Sequence, residues 1–71
     1  MKYKYYDELL DKIVIIEGQF GDREQVTITI WNEYSERVIK RKVHWDGNAK
    51  DLYVRVDNIK IYYDYVTSNM E

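Results

Sequence analysis

The sequence predicts a β-dominated α+β domain, with a short N-terminal helix followed by a five-stranded antiparallel meander that curls into a strongly twisted sheet or a small barrel. Three observations carry this prediction. Most of the chain beyond residue 13 alternates apolar and polar residues with period two, the mark of half-buried strands. Gly, Asn and Asp punctuate that alternation at short intervals, as turns require. Helical spacing is confined to residues 5–12 and their neighbour Ile13.

In residues 5–12, Tyr6, Leu9 and Leu10 fall on one helical face, which Ile13 just beyond continues. Asp7 suits a cap or first turn, and Glu8 with Lys12 makes an i,i+4 pair. Lys2-Tyr3-Lys4-Tyr5 alternates and competes as a strand; the helix is the preferred reading. Residues 13–16, Ile-Val-Ile-Ile, are apolar on both faces and read as an interior strand. Gly18 to Asp22 supplies a turn whose Phe20 folds back on the core. In residues 25–31, Val26, Ile28 and Ile30 point inward, and Asn32 to Ser35 is a tight connection.

The strand at residues 36–45 is less regular. Pairing Trp31 with Glu36 sets Ile28 opposite Ile39, but it aims Arg37 and Arg41 at the apolar side. Either these arginines snorkel at the sheet margin or a bulge shifts the register between Val38 and Ile39. After a turn at residues 46–48, Trp45 can oppose Leu52 and Val43 can oppose Val54. Residues 52–66 are two alternating runs joined by Asp57-Asn58, which tolerate the positive φ of a two-residue hairpin loop. Val56 then faces Ile59, Val54 faces Ile61 and Leu52 faces Tyr63, with Arg55–Lys60 and Tyr53–Tyr62 on the other side. The chain is one small domain, residues 1–71, with residues 67–71 read as a frayed tail.

A short helix before bent strands, with Val54-Arg55-Val56-Asp57-Asn58-Ile59 as a hydrophobic-Arg-x-x-x-Ile run and Asn32-Glu33-Tyr34 upstream, resembles the Sm-like RNA-binding fold over most of the chain. The resemblance implies a barrel of SH3 or Sm size. Val56 stands where that family has glycine, and Glu36 where it has a base-contacting asparagine. The likeness is therefore one of shape and does not bring the RNA-contacting residues with it.

Composition narrows function. A 71-residue chain buries only about 60 % of its unfolded surface, so its core is thin. It has no Cys for disulfides and one His, so neither staple nor structural zinc is expected. Eight Tyr and two Trp, or self-association, must compensate. The net charge of −2 and pI near 5.3 argue against a nucleic-acid-coating protein. No apolar run approaches a membrane span, and absence of Cys fits a cytoplasmic location. The bias toward Ile, Lys, Tyr and Asn points to an AT-rich genome.

No catalytic constellation is evident. His44 has no nucleophile near it in sequence, and on an outer strand face it is ordinarily exposed or ring-stacked. Asp7 and Asp11 on one helical face are ordinarily just solvated, and Asp46 to Asp51 lacks the glycine and ligands of a calcium loop. The chain is therefore expected to be non-enzymatic, with no cofactor, metal, small-molecule substrate or membrane. The outward side of the last three strands collects Lys40, Lys42, His44, Tyr53, Arg55, Lys60 and Tyr62, with Lys42 opposite Arg55 and Arg55 opposite Lys60. Directly opposed like charges destabilise a sheet unless something uses them; the bland alternative is a solvated face. The expected function is a protein-interaction module, such as a phage or mobile-element accessory, binding a larger protein or itself through this face. The alternative is a single-stranded nucleic-acid binder using the same cations and rings.

Overall fold

A computed structural model describes residues 1–70. It holds seven strands and one helix: β1 (Lys2–Asp7), β2 (Lys12–Glu17), β3 (Gln25–Trp31), β4 (Glu36–Lys42), β5 (His44–Asp46), β6 (Asp51–Val56), β7 (Ile59–Tyr62) and α1 (Tyr63–Ser68). Strands β1 to β4 form one antiparallel sheet in chain order, and β5 to β7 a second. Two expectations are thereby overturned. The N-terminus is a strand rather than a helix, and the single five-stranded meander is two sheets with a C-terminal helix.

The competing reading of the N-terminus wins because its tyrosines can be buried with their hydroxyls satisfied. Tyr3 and Tyr5 point inward from β1, Lys2 and Lys4 outward. Tyr5 donates to the Asp7 carboxylate at 2.9 Å, and Tyr3 meets Met1 Sδ at 3.4 Å. Asp7 does act as a cap, but of a turn. Its other oxygen accepts the N–H groups of Leu9 and Leu10, both at 3.0 Å, while Asp11 takes φ +55° and donates its N–H to the Asp7 carbonyl. The helix-like spacing of residues 6–10 is thus the spacing of one tight turn.

Asp46 repeats this construction between β5 and β6. It accepts from Asn48 and Ala49 N–H, with Lys50 at φ +54° closing on its carbonyl. Asp57 supplies the positive φ, +55°, of the β6–β7 loop, and the register follows alternation: Val56↔Ile59, Val54↔Ile61, Arg55↔Lys60 and Tyr53↔Tyr62. Gly18, at φ +125°, turns the chain out of β2 and packs against Gln25 and Val26 backbone; a side chain there would be strained.

Strand β4 pairs β3 with Trp31↔Glu36 and Ile28↔Ile39 and an unbroken register, so no bulge relieves Arg37 and Arg41. They reach to the second sheet instead. Arg37 grips Asp57 with two hydrogen bonds, 2.9 and 3.1 Å, and Arg41 Nε donates to the Arg55 carbonyl at 3.1 Å. The split between sheets falls at Val43. Its N–H and C=O bond to Glu24 and Arg23, and its side chain is fully buried. The expected partners of Val43 and Lys42 on β6 are therefore not the observed ones: Lys42 lies opposite Gln25.

Beyond Tyr62 the alternating pattern turns helical. Asp51 accepts the Asp64 N–H at 3.1 Å from a neighbouring strand, and Val66 seals the core. Leu52 therefore has no strand partner in Tyr63, which opens α1 and packs edge-on to Tyr3. Phe20 closes this cluster, 5.2 Å from the Tyr63 ring. The segment expected to fray instead ends α1 and returns Met70 to bridge Tyr5, with Glu71 outside the described residues. The core is Val14, Ile16, Val26, Ile28, Val54, Val56 and Ile61 between the sheets, with the tyrosine cluster at one end.

Candidate functional site

The outward face of the three-stranded sheet is built from two cross-strand rows. Register sets His44 beside Tyr53 and Tyr53 beside Tyr62, and one step along it sets Arg55 beside Lys60. The three rings form a ladder with successive centroids 5.7 Å apart, and the Lys60 ammonium lies 4.9 Å from the Tyr53 ring centre. That is cation–π distance.

One carboxylate orders this face. Asp46 Oδ2 accepts the Tyr62 hydroxyl at 2.6 Å and lies 3.6 Å from Lys60 Nζ, while Oδ1 is spent on the turn. The Tyr62 hydroxyl, the Ala49 and Asn48 N–H groups and the Lys60 charge together hold the Asp46 carboxyl down to about 2. The same hydrogen bond, with some burial, raises Tyr62 above its usual value. Rings and ammonium are therefore held in place by contacts within the chain itself.

Five of the seven residues expected to share a surface do so: His44, Tyr53, Arg55, Lys60 and Tyr62. Lys40 and Lys42 do not join their rows. They project from β4 on the outside of the other sheet, opposite Thr27 and Gln25. They remain on the same side of the continuous β4–β5 chain as His44, because only Val43 intervenes and it points inward.

Sequence reasoning missed a second surface. On the outer side of the four-stranded sheet, Tyr6, Ile13 and Trp31 form one row, and Lys4, Ile15, Thr29 and Val38 the next. Trp31 is 46 % exposed and Val38 59 %. The signal was present in Ile13 and Ile15, but an apolar double face reads equally as a strand covered on both sides. No local signal pairs Asp46 with Tyr62 or Arg37 with Asp57, which are distant in sequence.

Asp7 and Asp11 occupy opposite ends of a turn. Asp7 is buried, and Asp11 accepts the Tyr6 hydroxyl. Among the described residues no group of three or more His, Cys, Asp or Glu is placed to hold a metal ion. Among them, too, no helix is long and apolar enough to cross a membrane. No family model matches the chain, and neither a curated protein nor a solved structure matches it.

Proposed function

We propose that this chain is a non-enzymatic interaction module that docks a protein partner on the outward face of its three-stranded sheet. The ring ladder His44–Tyr53–Tyr62 carries the reading. Tyr and Arg are the side chains that concentrate binding energy at protein interfaces, and rings already stacked lose little further freedom on binding. Lys60 and Arg55 beside them favour an acidic partner surface. Small size, absence of Cys and an AT-rich composition support a cytoplasmic phage or mobile-element accessory. His44 supports the non-enzymatic part, since the ring of Tyr53 is its neighbour and no nucleophile adjoins it in sequence.

Capture from the lysate of a low-GC bacterium tests this. A partner retained by the native protein should be lost with Tyr53→Ala and kept with Tyr34→Ala, a substitution on the far loop. Loss in both or in neither would overturn the choice of face. Fluorescence anisotropy with labelled oligothymidine tests the nucleic-acid alternative. Tyr53-dependent binding that falls steeply with salt would put nucleic acid in the protein's place.

A second reading, self-association, is favoured by the exposed Tyr6, Trp31 and Val38 on the four-stranded sheet. Light scattering over a concentration series should show a dimer that Trp31→Lys dissociates. A native monomer at every concentration would exclude it.

A further inference from the structure

We infer that the free edge of β7 takes up an extended segment of the partner as an added strand, alternating apolar and acidic residues. This rests on the protein-partner reading above and names the form in which that partner arrives.

The main chain provides the first argument. Across a two-residue loop, Val56↔Ile59 and Val54↔Ile61 are the hydrogen-bonded pairs of the hairpin, so Ile59 and Ile61 spend their N–H and C=O on β6. Lys60 therefore turns both its groups, and Tyr62 its N–H, to the other edge. Among the described residues β7 has no strand partner but β6, and no hydrogen bond meets those three groups. Two other strand margins are taken in part. Met70 bridges Tyr5 on β1, and Arg41 fills the gap between β4 and β6.

An apolar groove lies beside that edge. A cavity of about 280 Å³ runs between β7 and the β1–β2 turn, walled by Leu9, Ile59, Ile61 and Tyr65. Leu9 is 73 % exposed, although it sits on a turn where a polar residue would serve. Tyr65 is fixed there by the Glu8 N–H, which donates to its hydroxyl at 3.1 Å.

Charge selects the occupant. On an added strand, residues alternate between the groove and the outer face. Groove-side positions would meet Leu9, Ile59 and Tyr65, and outer positions would lie beside Lys60, whose charge Asp46 shares at 3.6 Å, and, one strand further, Arg55. Apolar residues suit the first set and carboxylates the second. Main-chain hydrogen bonds then supply affinity while alternate side chains supply specificity, as in other strand-addition complexes.

The probe is a short, capped, fluorescent peptide of alternating valine and glutamate, read by anisotropy. On an antiparallel added strand, the residues directly opposite Lys60 and Tyr62 share their face and exchange hydrogen bonds with them, so the glutamates are the residues whose N–H bonds to β7. N-methylation of the glutamates should weaken binding by roughly tenfold or more, and N-methylation of the valines should not. Replacing glutamate by lysine should also abolish binding. In the protein, Lys60→Pro removes the edge donor and, with it, the ammonium, without touching the β6 pairing, a position where proline is tolerated; Lys60→Gln, which keeps the N–H, separates the two losses. Leu9→Asp serves as the second variant should Lys60→Pro not fold, since Leu9 lies on an exposed turn. Both should lose the peptide.

Equal binding of the two N-methylated peptides would overturn the inference, as would failure of the parent peptide to bind. A concentration-dependent dimer abolished by Lys60→Pro would also overturn it, by giving the edge to a second copy. If the peptide fails while Tyr53-dependent capture persists, strand addition falls and the face reading stands.

Discussion

Val54→Asp is expected to leave the protein unfolded. Val54 is wholly buried in the middle of β6, the central strand of its sheet, opposite Ile61. Its surroundings are the apolar core, so an introduced carboxylate must either stay charged without a partner or take up a proton. Each route costs several kcal/mol. A 71-residue domain has only about 4–10 kcal/mol of stability to lose. Arg55→Ser, one residue on, should change stability by less than about 0.5 kcal/mol, because Arg55 is exposed and opposes Lys60. Thermal melts followed by far-UV circular dichroism separate the two. A folded Val54→Asp protein with a destabilised Arg55→Ser would mean the faces of β6 are inverted.

That contrast rests on the part of the fold that alternation makes legible. Side-chain period two leaves few registers open once one face must be buried, so Val56↔Ile59 and Ile28↔Ile39 follow from residue type alone. Where reading fails, the deciding contact is distant in sequence. Residues 36–45 are irregular as a strand, but nothing in them marks the bend at Val43 in particular; the bend is made by Arg23 and Glu24, which bond its backbone. The turn from β7 into α1 is likewise set from outside, by the Asp51 carboxylate on the Asp64 N–H. Inward arginines on β4 look like an error of register until Asp57 and the Arg55 carbonyl are brought to them. The candidate face was legible within one hairpin and its neighbour β5, and illegible across the sheet boundary, which carries Lys40 and Lys42 away.

The N-terminal strand turns on a single buried carboxylate, and Asp7→Ala should be the most damaging change outside the apolar core. Asp7 is 1 % exposed and accepts three hydrogen bonds, from Tyr5, Leu9 and Leu10. Alanine strands a fully buried tyrosine hydroxyl and frees the turn that aims β1 at β2. At 1–3 kcal/mol for each group left without a partner, a loss of about 3 kcal/mol is expected. Asp7→Asn keeps an acceptor for the turn and should lose less. The same contact makes the fold sensitive to alkali. Burial, the Asp7 charge and its hydrogen bond, and Tyr65 raise Tyr5 far above the usual tyrosine value, and burial with Tyr63 raises Tyr3. Because these folded-state values are raised, their stabilisation is complete below the unfolded tyrosine value near 10 and is lost as pH climbs above it. Tyr3 and Tyr5 should therefore ionise only as the structure opens, the late rise in tyrosinate absorbance coinciding with loss of the β signal. Complete ionisation of all eight tyrosines with circular dichroism unchanged would show that Tyr5 is not sealed beneath the C-terminal helix.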